Sequence, residues 1–398
     1  MVRFKAYLHV LRRPRVLTLF SSSLVGRIAY AFVLLPLFYV AQDSGSVASA
    51  GVAVGVYSAG AGLLAPARAS LIDHFGSRRV LTILVLSYGG ILALLTLEGA
   101  IYAPSWGVIV LAGAAGVTAP PLGPTMRVAW SALLEKTDEK RTGLSLDATV
   151  EELMYVVGPA AAGLLLGVFT PWQVLLVPTV LALAGGLLFV RSLSSLDTTG
   201  PSSDRGTDPG EHRFLLLDLK FAALLIPALV VGGITGLLDI VVPALSNQMG
   251  GPAAAGIILA VFSVGSVIGG LIFGVMRLSW STTRQLFSAC SLLVIATSVI
   301  AWLSNPFTLG AALAIAGLFL SPVMVAAYIA APARASARRS NAATTWVNSS
   351  YNLGSAGGSA VTGVLIQHVG STQTVLAVCC VSLCLVAVGT VLLRTGRR

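Results

Sequence analysis

Charge is what this chain has least of. Charged residues make up 10% of its 398 positions and hydrophobic residues 56%, with a mean hydropathy of +0.89. An average soluble domain is about a quarter charged. No soluble fold of this size covers so much apolar surface with so little charge, so a lipid-embedded chain follows. Cysteine is also scarce. Cys290, Cys379, Cys380 and Cys384 all lie inside apolar runs, with no CxxC or Cys/His spacing, which argues against a disulfide framework. The four histidines, His9, His74, His212 and His368, sit near a terminus or a loop without metal-ligand or Ser/His catalytic spacing. No enzyme activity, cofactor or metal is expected. The formal charge of +10 raises the question of nucleic acid, but the basic residues form separate clusters between apolar runs. Without a basic face or interleaved aromatics, no nucleic-acid partner is expected.

What the chain does have is long apolar runs. A membrane span needs ~20 such residues to cross a core of about 30 Å. Runs of that length fall near 16–41, 47–70, 79–101, 105–130, 143–168 and 172–192, and again near 221–245, 253–276, 285–303, 307–331, 342–367 and 372–393. The reading is an all-α integral membrane protein of about twelve spans. The basic segment Arg3, Lys5, Arg12, Arg13 and Arg15 precedes a first run too long for a signal peptide, so that run is read as a retained span. Turns after odd spans carry no Lys or Arg, and Arg27 is read as the one basic residue inside the membrane. By the positive-inside rule both termini are expected in the cytoplasm, with the chain in the cytoplasmic membrane of a bacterium.

The chain also repeats. Ala50 to Gly60, AGVAVGVYSAG, returns 205 residues later as Ala255 to Gly265, AGIILAVFSVG. Ala115-Gly116 with Pro121 recurs as Ala316-Gly317 with Pro322. Gly26 and Pro36 recur as Gly233 and Pro243, and Gly158 and Gly163 as Gly358 and Gly363. Six spans were copied, and an even-span unit copies without inversion, so the halves relate by an axis along the membrane normal. The expected organisation is a six-helix bundle over 1–192, a Ser/Asp/Gly/Pro-rich cytoplasmic linker over 193–220 and a second bundle over 221–398.

Between spans 2 and 3 the chain reads Ala69-Ser70-Leu71-Ile72-Asp73-His74-Phe75-Gly76-Ser77-Arg78. This resembles the G-x-L-x-D-R-x-G-R-[R/K] loop of the major facilitator superfamily at Leu71, Asp73, Gly76 and Arg78, and departs from it at Ala69, His74 and Ser77. The resemblance implies a transporter working by alternating access, acting as a monomer on a small molecule. Asp73, Gly76, Arg78 and Arg79, with Arg127 on span 4, form a candidate conformational latch, in which the carboxylate accepts from an arginine or a helix N-terminus in one state only. The alternative is a set of positive-inside charges. In span 5, Met154 to Gly163 resembles the G-x-x-x-G-P-x-x-G-G motif of drug/proton antiporters at Gly158, Pro159 and Gly163. Pro159 removes a backbone hydrogen bond, so a kink is expected there.

Ionisable residues inside the membrane are costly and mark function or pairing. Arg27 is a candidate contact for an anionic substrate group or a coupling carboxylate, or one half of a structural ion pair. Asp239 in span 7 is a candidate proton carrier, since burial favours the neutral carboxyl; a static partner for Arg27 or a cap are the alternatives. Asp147, Glu151 and Glu152 open span 5, with Asp147 and Glu151 on one helical face within reach of Arg127. A bridge from Glu151 or Glu152 to Arg127 is one reading, and protonation of these acids is the other. The equivalent stretch of span 11 carries Trp346, Asn348, Tyr351 and Asn352, a candidate ligand face or polar helix packing. Tyr30 and Tyr57 are candidate cavity walls, with Phe262 and Tyr328. The function expected is secondary active transport, proton-coupled and outward. Uptake of a polar or anionic metabolite, anchored on Arg27, is the alternative. A receptor or scaffold without transport is a remote one.

Overall fold

A computed structural model describes residues 10–134, 137–193, 218–246, 249–276, 279–335 and 340–395, which are helical apart from short connections. Span 1 is Pro14–Asp43, span 3 Ser77–Ala100, span 5 Thr137–Leu166 and span 6 Pro171–Leu193. Span 2 is a bent pair, Val47–Leu63 and Ala65–Phe75, meeting at 43° where Pro66 cannot continue the ladder. Span 4 breaks likewise at Pro120-Pro121, into Ser105–Thr118 and Leu122–Leu133. In the second half, span 7 is Leu219–Ser246, span 8 Pro252–Val275 and span 9 Thr282–Ser298 with a 3₁₀ turn Val299–Trp302. Span 10 is Pro306–Gly317 followed by Leu320–Arg334.

The last helix, Ser340–Thr395, is 56 residues long, which at about 1.5 Å per residue far exceeds any bilayer. Gly370 divides it with φ +82°, a left-handed conformation that ends one helix and lets the next begin. Spans 11 and 12 are its two parts. Among the described residues, ten helices are long and apolar enough to cross a membrane. The bent pair adds one and the division at Gly370 another, which brings the count to the expected twelve. Span boundaries follow the apolar runs to within a few residues, except that span 2 continues past its bend to Phe75. The linker expected over 193–220 lies almost wholly outside the described residues.

Outward faces are apolar. On span 3, Ile83, Leu86, Leu94 and Leu97 are all at least half exposed at helical spacing, a stripe that suits lipid and not water. Inward faces are packed through glycine. A Cβ on Gly51 of span 2 would lie 2.7 Å from the Gly363 Cα of span 11, and one on Gly163 of span 5 would lie 2.7 Å from the Gly256 Cα of span 8. These are one contact made twice, because the repeat maps Gly51 onto Gly256 and Gly163 onto Gly363. Gly116 sits against the Tyr57 carbonyl and Gly317 against the Phe262 carbonyl, again repeat-related positions. The duplication visible in the residues is therefore a duplication of backbone packing, and the two six-helix bundles are pseudo-symmetric.

Candidate functional site

The two bundles meet around a cavity of about 1710 Å³. Its walls come from spans 1, 2, 4 and 5 on one side and spans 7, 8, 10 and 11 on the other, and it reaches Asp73 and His74 at the end of span 2. At the opposite end the halves close on each other through the two glycine pairs. Hydrogen bonds reinforce that closure: Tyr39 Oη lies 2.6 Å from Ser246 Oγ, and Ser46 Oγ donates to Gln367 Oε1 at 3.3 Å. The cavity thus opens toward the face that carries Arg78 and Arg79, and is sealed at the other.

On the first-half wall, spans 1, 4 and 5 assemble four charges. Arg27 Nη1 donates to Asp147 Oδ1 at 2.7 Å, and Arg27 Nη2 stands 3.2 Å from Glu151 Oε2. Arg127 Nε stands 3.4 Å from Asp147 Oδ2, and its Nη2 donates to Glu151 Oε2. Asp147 and Glu151 share a helical face one turn apart, so both reach the same guanidinium groups. The Arg27 and Asp147 side chains are 4% and 1% exposed, while Arg127 and Glu151, at 48% and 31%, open onto the cavity. Gly123 of span 4 packs beside the Arg27 guanidinium, where a Cβ would meet it at about 3.4 Å, an ordinary contact. Two cations and two anions cancel here, which satisfies charges that would each cost several kcal/mol to bury alone.

The expected bridge from span 5 to Arg127 is present at Glu151, but not at Glu152, which is exposed in the cavity without a hydrogen bond or ion pair among the described residues. Asp239 also lines the cavity without such a partner, and is not the counterion of Arg27. The reason is topological: Asp147 on the neighbouring span of the same bundle reaches Arg27 first. Arg27 itself is withdrawn behind the wall and does not line the cavity.

Tyr30 lines the cavity and donates to the Pro120 carbonyl at 2.7 Å, across the break in span 4. Tyr57 is buried, its hydroxyl 2.9 Å from that of Tyr88, so it supports the wall without being part of it. Phe262, Tyr328, Asn348, Tyr351 and Asn352 line the opposite wall. Trp346 does not; it packs against the apolar core, because it stands on another face of span 11. Thr235 and Tyr351 join spans 7 and 11 through hydroxyls 3.4 Å apart. The latch residues are not joined to one another. Asp73 lies exposed on the cavity rim, and neither Arg78 nor Arg79, both exposed, pairs with it. Gly76 makes the turn between spans 2 and 3 at φ +87°, and Arg127 belongs to the four-charge group instead. Pro159 lies inside a helix that continues through it, with Gly158 against the Ala31 carbonyl of span 1 and Gly163 at the seal.

Arg27 is not the only arginine buried in the bundle, contrary to the sequence reading. Arg68, 5% exposed, sits where spans 2 and 4 both break. It donates to the Gly60, Gly116 and Val117 carbonyls at 3.1, 3.0 and 2.9 Å, and to the Ala61 carbonyl. Broken helices leave their last carbonyls without donors, and in a bilayer no water supplies them. One guanidinium with five N–H groups closes both breaks and meets the negative ends of both helix dipoles. The signal was in the sequence: Pro66 and Pro120-Pro121 predict orphaned carbonyls, and Arg68 is the nearest cation.

Among solved structures, the chain resembles the nucleoside transporter NupG with a TM-score of 0.75 and 11% identity, over 94% of this chain and 99% of that one. It also resembles a bacterial homologue of the human lysosomal transporter Spinster, in an inward-facing and unoccupied conformation, with a TM-score of 0.69 and 13% identity over 96% of each chain. At such identities the likeness is one of fold. No curated protein matches the sequence significantly. The sequence profile of the Major Facilitator Superfamily matches residues 16–315 and 224–398, so that it spans both bundles. Twelve spans, a duplicated bundle, a central cavity closed at one end and a profile covering the whole membrane domain have one common account, which is that this chain belongs to the Major Facilitator Superfamily and is an integral membrane transporter.

Proposed function

We propose that the chain is a secondary active transporter that moves a small molecule outward by alternating access, driven by protons, in the cytoplasmic membrane of a bacterium. Its termini and linker face the cytoplasm and it works as a monomer. The observation that carries this reading is the cavity between the bundles, open toward the basic face and sealed at the other end by Gly51 against Gly363 and Gly163 against Gly256. Two small, repeat-related seals are the contacts that must part for the cavity to open on the other side. On closure of the basic face, Asp73 meets a partner that it lacks in the present arrangement, completing the latch with the turn at Gly76.

Protons enter the cycle through acids that the cavity wets. Glu152 and Asp239 stand in the cavity without counterions among the described residues, and Glu151 is held by Arg27 and Arg127. Neutralising Glu151 would release two arginines at once, which links protonation to the packing of spans 1, 4 and 5. The rival reading, uptake of a polar or anionic metabolite on Arg27, is weakened because Asp147 and Glu151 already occupy that guanidinium. Nucleoside uptake, suggested by the name of one structural neighbour, has only fold likeness behind it. The purified chain in proteoliposomes, with a pH gradient of either sign and a panel of amines, nucleosides and organic anions, tests direction and coupling together. Outward flux against an inward proton gradient is expected; flux indifferent to the gradient would sink proton coupling.

A further inference from the structure

The charge balance of the cavity points to the class of substrate. This step rests on the transport reading above. The protein carries a net charge of +10, yet its cavity is acidic. Around the cavity, Arg27 and Arg127 are cancelled by Asp147 and Glu151, while Arg68, behind the wall, keeps its charge turned onto helix-end carbonyls. What remains on the walls is Asp73, Glu152 and Asp239, none held by an ion pair or hydrogen bond among the described residues. His74 is the one other ionisable cation-former on the wall, and it lies at the rim. A low-dielectric cavity with three uncompensated carboxylates concentrates cations and repels anions.

The three acids are not equivalent. Asp73 belongs to the rim and to the latch. Glu152 lies on the first-half wall, beside the four-charge group. Asp239 stands one helical turn from Thr235 on span 7, and Thr235 is hydrogen-bonded to Tyr351 of span 11. Spans 7 and 11 approach closely there, with Gly232 and Gly236 against the backbone of span 11, so Asp239 and Tyr351 share one stretch of wall. Phe262 and Tyr328 add aromatic surface to the same cavity from spans 8 and 10. A carboxylate beside a tyrosine, in a cavity that carries further aromatic rings, suits an organic cation, the carboxylate taking the charge and the rings adding cation–π attraction and apolar area.

We propose that the cavity takes a lipophilic organic cation, with its positive centre at Asp239 and its apolar body against Phe262, Tyr328 and Tyr351. Recognition then centres on the second bundle, where Asp239 is also one of the acids open to protons. Asp239 has no hydrogen bond or ion pair among the described residues, so Asp239→Asn removes the charge at nearly equal side-chain volume and breaks no polar contact.

The test uses two probes of equal shape and opposite charge, tetraphenylphosphonium and tetraphenylborate. Each is measured separately on the full-length protein in lipid nanodiscs, with empty nanodiscs subtracted. Saturable binding of the phosphonium alone is expected, weakened about tenfold or more in Asp239→Asn and by roughly threefold or less in Asp239→Glu. Saturable binding of the borate, absence of saturable phosphonium binding, or an Asp239→Asn variant that binds the phosphonium as the parent does would each overturn the proposal. A melting temperature unchanged in Asp239→Asn confirms that the loss is one of recognition; Asp239→Glu gives the second readout. Flux separates this proposal from the transport reading. Phosphonium binding without flux into proteoliposomes leaves the cation site standing and refutes transport. Flux of a nucleoside or organic anion that Asp239→Asn leaves untouched refutes the cation site and keeps transport.

Discussion

The two halves of this molecule share a backbone and differ in almost every polar side chain that matters. The repeat places Ile234 where Arg27 stands, Tyr328 where Arg127 stands, Val347 where Asp147 stands and Tyr351 where Glu151 stands. Phe273 replaces Arg68 in the same way. A buried charge group in one bundle is thus an apolar and aromatic surface in the other, although the glycine contacts that set helix spacing are kept at repeat-related positions. The difference teaches that packing and chemistry were inherited separately after duplication. Glycines fix how closely helices approach, while the residues aimed at the cavity were free to diverge.

The comparison can be broken or sharpened by substitution. The largest effect is expected from Arg27→Ala, which leaves the buried Asp147 with only its longer contact to the half-exposed Arg127 and should cost about 3–5 kcal/mol of stability. Replacing both by the residue types of the other half, Arg27→Ile with Asp147→Val, should recover most of that loss, as seen in thermal unfolding in detergent. A double variant no better than the single one would mean that the group is more than a cancelled pair. Arg68→Phe, again borrowed from the second half, leaves the carbonyls at two helix breaks without donors. It is expected to cost about 3 kcal/mol, and the loss should shrink if Pro120 and Pro121 are also replaced, since continuous helices need no such donor.

The seals come next. Gly51→Val and Gly163→Val insert side chains where backbones touch, at about 1–3 kcal/mol each, and both should shift the population away from the state sealed at that end. Crosslinking between cysteines placed on spans 2 and 11 and on spans 5 and 8 reads this directly. Unequal responses at the two seals would break the symmetry inferred from the repeat. Smallest is Arg127→Tyr, which trades a half-exposed arginine for its counterpart and should alter stability by about 1 kcal/mol or less, because solvent screens its pairing. Its effect is expected in the rate of flux, through the loosened Glu151.

Much of the architecture was legible in the residues. Twelve runs of spanning length, the offsets of the repeat and the acid pair at Asp147 and Glu151 within reach of Arg127 all reappear in the structure. The partner of Arg27 was not legible, nor was the burial of Arg68, the withdrawal of Trp346 into the core or the unpaired state of Asp73. These residues read alike in the chain because each lies in, or at the edge of, an apolar run. Span 7 shows why: it is buried on nearly every side, so its sequence carries no stripe to say which face meets the cavity.

The sequence by itself determined how many times the chain crosses the membrane, where it turns and that its halves are copies. Those properties follow from local quantities: the bilayer sets the length of each run, and common descent sets the spacing of glycines and prolines. Only the tertiary structure decided which charges cancel and which face the cavity. Arg27 and Asp147 are 120 residues apart and meet through the packing of spans 1 and 5. Whether a carboxylate inside a membrane is half of a neutral pair or a free charge depends on what lies within a few ångströms of it, and that distance is set by helix packing, not by position along the chain.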